Sequence, residues 1–596
     1  MPSPCAKEFF DFPHVINNGR WYSMYTPGWP FLLMLGLIFR APWIVNPLLA
    51  SLAIFLFYFL GKEIYNRQIG LLTSFLGAAS IWFLLMSSTM MSHTSSLFFA
   101  CFFLLYLFRS LKNPSLANGV LTGIGLGIAF LIRPYNAVLF STPFLVYYAF
   151  HFFKEMKLRL KNAMAFALTT IAFISVLLIY NQLTNGNPFK MGYIATYGKE
   201  VLPGLGNSPF TDVALTMLRA RENIIDYLKA INSDLFGWPI TSFYALLPLL
   251  LLSKIKPVNR KKDLLLACGF FSMLIGLYFY WGTFPIIGAR LIFESVSLLV
   301  LLSARGISEL PSLLRLIFKS LSPTKVNKII AMFLIAFIVY GFTIRFPRWV
   351  WPKDTEYQFE TYDHNFAGTT AFIHNAARSL GIRKAVVLMK FLYHPTEEFP
   401  TGWWGSGFVY NDPDLQGSII YANNQGNRNI ALFDCLPERN FYLYLGTLEK
   451  GMLIPLKKEG EKISYGEPLT SSLPKKNCIK LVASPQGLFK AYSPEFKEFL
   501  DNLYKENKPF EVDVDRLMEL GNLFKKNRNF KDAAFCFEAA LQVENTPRAR
   551  RFLLNELIGC YFKAGKNNEA KRVGEKIKKA DFQDEKLYRL FPEKGF

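Results

Sequence analysis

Long windows of the first 345 residues hold no ionisable side chain, and that absence rules out an ordinary water-soluble fold for this part of the chain. Cysteine is scarce as well. The seven cysteines (Cys5, Cys101, Cys268, Cys435, Cys478, Cys536, Cys560) form no CxxC pair and show no metal-like spacing, so no thiolate metal site can be read from them. Met1 to Asn18 has neither the charged, apolar and small-residue zones of a signal peptide nor a membrane span. No phosphate-cradling glycine loop occurs in the last 250 residues, which otherwise read like a soluble polypeptide.

What is present is apolar and aromatic. Of 596 residues, 52% are hydrophobic and 16% aromatic, including 58 Phe and 28 Tyr, and much of this mass must face lipid. Ten stretches are apolar enough to cross a hydrocarbon core of about 30 Å: 43–62, 69–87, 93–110, 116–132, 135–153, 162–182, 236–253, 263–281, 288–304 and 327–344. The fold class expected is therefore a mostly α, polytopic helical bundle, followed by a small α/β domain and a pair of tetratricopeptide-like hairpins. The loops alternate in charge. One set carries 18 cations against four acids, a surplus of 14 within the net charge of +22, and this marks the cytoplasmic face. The basic runs are topogenic, and nucleic acid is not an expected partner. Residues 1–42 and 346–596 then lie on the exoplasmic side of a plasma (inner) membrane.

The domains expected are an exoplasmic interfacial loop at 1–42, a transmembrane domain at 43–345, an α/β domain at 346–510 and repeats at 511–596. In the α/β part, helix-like 364–380 precedes KAVVLM (384–389), GSIIYA (417–422), helix-like 428–436 and NFYLYL (440–445). In the last part, 517–541 and 553–577 align, Gly521 with Gly559 and Ala533 with Ala570. This resembles two tetratricopeptide repeats, whose small residues sit where paired helices touch. Two generic amphipathic hairpins are the plainer alternative. Either form suits a protein partner or a supporting role.

An ionisable residue at membrane depth marks a functional site by default, because burying it there costs about 2.5–3.5 kcal/mol on the lenient insertion scale. Arg290 and Glu294, in GARLIFES, stand at i and i+4, either as an internal ion pair or as an anion-binding arginine held by its carboxylate. Arg133 precedes Pro134 at a helix end, as a snorkelling anchor or a phosphate ligand. His93 opens a span in MMSHTSS, structural or catalytic. Segment 11–36 adds His14, Arg20, Trp21, Tyr22, Tyr25 and Trp29, an interfacial loop with a short helix along the membrane.

These residues carry a resemblance. The YTPGWPFLL loop (25–33), APWIVNPLLASLAIFLFYFLGKEIYNRQIGLL (41–72), the MSHT turn, GLGIAFLIRPYNAV (125–138) and GARLIFESVSLLVLLSARG (288–306) resemble the dolichyl-phosphate-mannose-protein mannosyltransferase-like membrane glycosyltransferases of the C superfamily. The likeness covers about residues 8–345. It implies a polyprenyl-phosphate-linked sugar that enters sideways from membrane lipid and is delivered on the exoplasmic face. Arg133 and Arg290 would hold the phosphate, with His14, Arg20, Tyr22 and Tyr25 binding substrate. The family's general base is an acid in the first exoplasmic loop, where this chain offers Glu8 and Asp11, and a second acidic position corresponds to His93. The catalytic set carried over is His93, Glu294 and Asp11. Metal dependence varies among relatives, so a divalent metal stays open. The usual acidic motif and the helix before it are not found in this sequence, which suggests a chain truncated at its N-terminus and inactive as written. Two other functions compete: a non-catalytic scaffold presenting repeats, and a lipid or solute transporter, whose paired repeats and broken helices are not seen in the sequence.

Overall fold

In the computed structural model the described residues are 9–10, 14–18, 21–206, 215–252, 259–281, 288–317, 322–347, 372–391, 410–412, 415–446, 451–467, 469, 479–480, 511–512, 518, 521–522, 525, 530–543 and 547–579. They form two compact units. One comprises Met1–Pro13, Asn17–Trp21 and Lys353–Phe596, the other His14–Ile16 and Tyr22–Pro352.

The unit containing Tyr22–Pro352 is helical. Short α1 (Gly28–Ile38) leads to α2 (Val45–Ile64), α3 (Arg67–Ala78), α4 (Ile81–Ser87), α5 (His93–Lys112), α6 (Leu116–Ile132), α7 (Pro134–Lys154) and α8 (Met156–Asn185). After α9 (Gly192–Tyr197) and α10 (Met217–Asp234) come α11 (Leu247–Leu252), α12 (Arg260–Tyr278), α13 (Val296–Ile317) and α14 (Pro323–Tyr340). Among the described residues five helices are long and apolar enough to cross a membrane: Pro42–Ile64, His93–Lys112, Met156–Asn185, Arg290–Leu316 and Thr324–Arg345. A sixth joins them if α3 and α4, bent by 62°, count as one span. The chain is a multi-pass membrane protein.

Helix occupies each of the ten expected stretches in whole or in part, but those at 116–132, 135–153, 236–253 and 263–281 are not among the five or six described helices long and apolar enough to cross. Stretch 69–87 is two helices, because the Ser80 side chain accepts from Phe83 N–H and starts α4 afresh. Helix begins only at Ser242 within 236–253, since Gly237 takes a left-handed φ of 64° ahead of Pro239. Between α8 and Gly237 the described chain carries α9 and α10.

Glycines set the distances between helices. A Cβ placed on Gly119 would meet the carbonyl oxygen of Asn162 at 2.3 Å, so α6 and α8 touch backbone to backbone. Gly28 brings α1 equally close to α6: a Cβ there would lie 2.6 Å from the carbonyl carbon of Leu131. Thr26 Oγ1 confirms the approach by donating to Ile132 O at 2.7 Å. The far sides of α1 and α2 expose Phe31, Leu37, Ile38, Phe39 and Phe55, as lipid-facing surfaces do.

Two short strands, β1 (Val15–Asn17) and β2 (Trp21–Ser23), pair with each other, and in the other unit five strands form one sheet in the order β4-β3-β5-β6-β7. Strands β3 (Ala385–Phe391), β4 (Ile419–Asn423) and β5 (Asn440–Gly446) are parallel, with β3 between the other two. Strands β6 (Gly451–Glu459) and β7 (Lys462–Tyr465) add an antiparallel hairpin. Alternation along β3 serves two cores. Val386 and Leu388 pack with Ile420, Leu443, Phe9 and Phe10 on one face, and Val387 packs with Tyr421, Tyr444, Ile373 and Ala377 on the other. Ile373 and Ala377 belong to α15 (Phe372–Ser379), so 364–371 of the expected helix lies outside the described residues. Helices α17 (Phe530–Val543), α18 (Pro547–Lys563) and α19 (Asn567–Lys579) share a core of Ala533, Phe537, Leu557, Cys560 and Ala570; between the sheet's strands stands α16 (Ile430–Cys435). Gly521 is close enough to Phe537 that a Cβ would lie 2.6 Å from its ring.

Replacing Gly119 by Val is expected to cost about 1–3 kcal/mol by overpacking α6 against α8. A thermal melt of detergent-purified protein, followed by size-exclusion fluorescence, would show the loss, and an unchanged midpoint would contradict the backbone contact.

Candidate active site

The site starts from a proline. Pro134 has no N–H and drives the residue before it out of the α region, so α6 must end and α7 begin at Arg133. Arg133 accordingly has φ −145° and ψ 82°, and its backbone serves both helices: its N–H bonds Ala129 O at 2.9 Å and its carbonyl accepts from Ala137 N at 2.9 Å. The side chain leaves the helical corner toward residues 290–295.

That segment is a 3₁₀ turn with a non-helical Ile292 inside it, following Gly288 at φ 68°. Three residues per turn do not bring i and i+4 together, and the expected Arg290–Glu294 pairing is replaced by another. Glu294, only 1% exposed, receives Arg133 Nη1 at 3.1 Å and Asn136 Nδ2 at 2.9 Å. The broken turn also leaves Leu291 O to accept Arg133 Nη2 at 3.3 Å and Asn136 Nδ2 at 2.5 Å. Expected in the catalytic set, Glu294 is thus buried and occupied with holding Arg133.

Arg290 has no carboxylate partner among the described residues. Its Nη1 lies 3.6 Å from Met91 Sδ, and its Nε makes no hydrogen bond. Met91 belongs to the turn before α5, which is pinned from two helices: Asn46 Nδ2 donates to Thr89 O at 2.7 Å and to Met91 O at 2.6 Å, and Trp29 Nε1 donates to Met90 O at 3.0 Å. The turn delivers His93 to the first position of α5, where it is buried within electrostatic reach of both Arg133 and Arg290. Neither ring nitrogen of His93 has a hydrogen-bond partner. A buried imidazole with both nitrogens open, beside two guanidiniums, is poised for a ligand that accepts hydrogen bonds.

The N-terminal segment joins this cluster through His14 and Tyr25. His14 adopts φ 71°, uncommon for a residue with a Cβ, and its carbonyl takes Met24 N at 3.0 Å. Its ring stacks on Tyr25 with centroids 5.6 Å apart, and Nδ1 lies 3.1 Å from the Tyr25 hydroxyl. Tyr25 meets Tyr193 of α9 edge to face at 5.4 Å. Burial first, and the charge of Arg290 second, push the His14 imidazole down to about 4. Tyr22 goes elsewhere, donating to Thr184 O at 2.9 Å and Asn185 Oδ1 at 3.0 Å at the end of α8. Arg20 and Asp11 lie outside the described residues, as does Glu8.

Several members of the cluster were not singled out by sequence. Asn136 stands one turn after Arg133 and could have been found as a polar residue in an apolar helix. Tyr193, Tyr227 and Tyr280, the last stacked on Tyr135, come from distant segments with no local signal. Two guanidiniums face one carboxylate here, so the described residues suit an anion. They do not fit a divalent metal: no group of three or more His, Cys, Asp or Glu side chains among them has metal-holding geometry, and a cation would meet Arg290 and Arg133.

Residues 31–180, about a quarter of the chain, match the family described as dolichyl-phosphate-mannose-protein mannosyltransferase. No curated protein matches. Among solved structures, ArnT from Cupriavidus metallidurans bound to undecaprenyl phosphate is similar at 10% identity and a TM-score of 0.44, covering 73% of this chain and 85% of that one. The archaeal oligosaccharyltransferase AglB from Archaeoglobus fulgidus, in complex with an inhibitory peptide and a dolichol-phosphate, is similar at 12% identity and a TM-score of 0.40, covering 93% and 79%.

Two outcomes follow from the site. The unfolded His14 imidazole protonates near 6.5 and the folded one near 4, so between these values the unfolded chain binds more protons. Stability is full above about pH 6.5 and falls as pH drops toward 4. Melts across that range should show a pH-dependent loss that His14→Gln removes. Glu294→Gln, which leaves the Arg133 charge buried without its partner, should cost about 3–5 kcal/mol, whereas the double variant Arg133→Met, Glu294→Leu should cost much less. Equal melting points for the two would contradict a buried pair.

Proposed function

We propose that the protein is a membrane glycosyltransferase that moves a sugar from a polyprenyl-phosphate carrier to an acceptor on the exoplasmic face. The observation that carries this reading is Arg290: a guanidinium at membrane depth, free of any carboxylate among the described residues, beside an imidazole with both nitrogens open. A lipid phosphate would bring the negative charge that Arg290 lacks and the acceptor oxygens that Arg290 and His93 leave unfilled. The family match over 31–180 supports the same chemistry, since that stretch contains the turn before α5, His93, Arg133 and Asn136.

The roles divide as follows. Arg290 binds the phosphate directly, and Arg133, oriented by Glu294 and Asn136, adds a second positive charge. His93 donates from a ring N–H to a phosphate oxygen. As the sugar leaves, charge grows on that oxygen, and preorganised donors stabilise it with little reorganisation. Membrane lipid supplies the carrier laterally, along the exposed apolar surfaces of α1 and α2.

We read the sheet unit as an exoplasmic domain at 346–510, and α17–α19 as tetratricopeptide-like helices at 511–596 that take a protein partner. Cys435 is disulfide-bonded, a state suited to an oxidising compartment outside the cytoplasm. The expected period of 37 or 38 between paired small residues agrees with the burial of Ala533 and Ala570 in one helical core.

Replacing Arg290 by Gln should weaken undecaprenyl phosphate binding about tenfold or more, as loss of charge-assisted hydrogen bonds requires, and Lys at this position should retain part of it. Native mass spectrometry of the purified full chain reads the affinity. Binding undiminished by Arg290→Gln would remove the phosphate site.

A further inference from the structure

Two guanidiniums, two imidazoles and several tyrosines gather at the site, and the one described carboxylate there is locked to Arg133. Sugar transfer to a hydroxyl needs an acceptor for the hydroxyl's proton. His93 is enclosed, whereas His14 stands behind Tyr25, a residue that remains 40% exposed. We propose that the His14–Tyr25 pair is this proton acceptor, and that an anion seated at Arg290 switches it on. The proposal rests on the transferase reading above.

The geometry gives the pair a direction. With its proton on Nε2, the His14 ring accepts the Tyr25 hydroxyl hydrogen at Nδ1 across 3.1 Å, so Tyr25 presents its oxygen lone pairs outward. The left-handed backbone at His14 holds the imidazole against the Tyr25 ring, and Tyr193 closes on the other side of Tyr25. A strained conformation kept at such a position is characteristic of functional sites.

In the transfer step the acceptor oxygen bonds to the sugar's anomeric carbon as the bond from that carbon to the phosphate oxygen breaks. The electron pair goes to phosphate. The acceptor's proton passes to Tyr25 Oη while Tyr25's own proton moves to His14 Nδ1, leaving an imidazolium and a polyprenyl phosphate carrying one more negative charge. The imidazolium then returns its proton to water.

The charged and titratable described groups around the pair explain why a ligand is needed. Arg290 faces His14 and Tyr25, and Tyr193, Tyr197 and Tyr280 face Tyr25; Arg133 adds to the field at Tyr193 and Tyr280. None of these supplies a negative charge at neutral pH. Burial first, and the positive field of Arg290 second, keep His14 a weak base, and a phosphate that neutralises Arg290 restores part of its basicity. The charge developing on the leaving phosphate strengthens the effect as the reaction proceeds.

The test is an NMR titration of the full chain carrying ¹³C-labelled histidine in detergent, with the His14 signal assigned by His14→Gln. Geranyl phosphate should raise the His14 midpoint by at least about one pH unit, geraniol should not, and Arg290→Gln should abolish the rise. A midpoint unmoved while native mass spectrometry shows the site saturated with geranyl phosphate overturns the switch. With a polyprenyl-phosphate sugar as donor, His14→Gln and Tyr25→Phe should each lower kcat about 100-fold with donor KM little changed, and undiminished kcat overturns the proton-acceptor role. A wild-type chain that binds geranyl phosphate and shifts His14 yet transfers no sugar removes the transferase reading and this catalytic role with it. The coupling of His14 to the anion would then stand alone as a binding effect.

Discussion

The site depends on one buried ion pair. A nearly buried guanidinium is costly without a compensating charge, and Glu294 gives Arg133 that compensation from a segment 161 residues away. The pair fixes the α6–α7 corner against the turn that opens α13. Through Asn136 it also claims the carbonyl of Leu291, beside the kink at Ile292. A regular α-helix at 290–295 would have placed Glu294 one turn from Arg290. The irregularity therefore separates the two arginines into different tasks, one neutralised and positional, the other open to a ligand.

Electrostatics at the site follow from this division. With Glu294 committed, the uncompensated charge belongs to Arg290, and its influence reaches His14 and His93 on two other segments. The same positive field that suits the cluster to an anion adds to burial in depressing the basicity of His14. In the proposed reaction, binding and proton chemistry are linked through Coulomb's law and need no conformational change.

How much of this was legible depends on the range of the interaction that decided each element. Apolar length placed the helices well, since burying backbone in lipid leaves little choice but helix. Pro134 announced the corner at Arg133, because its effect is local and steric. The Arg290–Glu294 pairing misled: spacing of i and i+4 assumes 3.6 residues per turn, and nothing in GARLIFES reveals the kink at Ile292. The hairpin of β6 and β7 went unread because Pro455 sits inside β6 and lysines crowd its end, both weak strand signals that pairing with β5 overrides. The tyrosines of α9 and α10 were hidden by a loop whose polarity resembled irregular chain. Asp11 and Arg20, by contrast, fall where the structure describes nothing, and their roles rest on sequence alone.

The corner at Arg133 also limits how this chain can vary in length. Because one residue ends α6 and begins α7, no spare link exists between them to absorb an insertion. Adding a single residue between Leu126 and Asn136 would turn one helix by about 100° relative to the other. The guanidinium and the Asn136 amide would then leave Glu294 together. Around α9, only six residues long and followed by the short 3₁₀ turn Lys199–Val201, no such corner is shared between two helices, and extra residues could be taken up there. Gains and losses of length among descendants of this sequence should therefore collect in that loop and spare the corner, even where the side chains at the corner change.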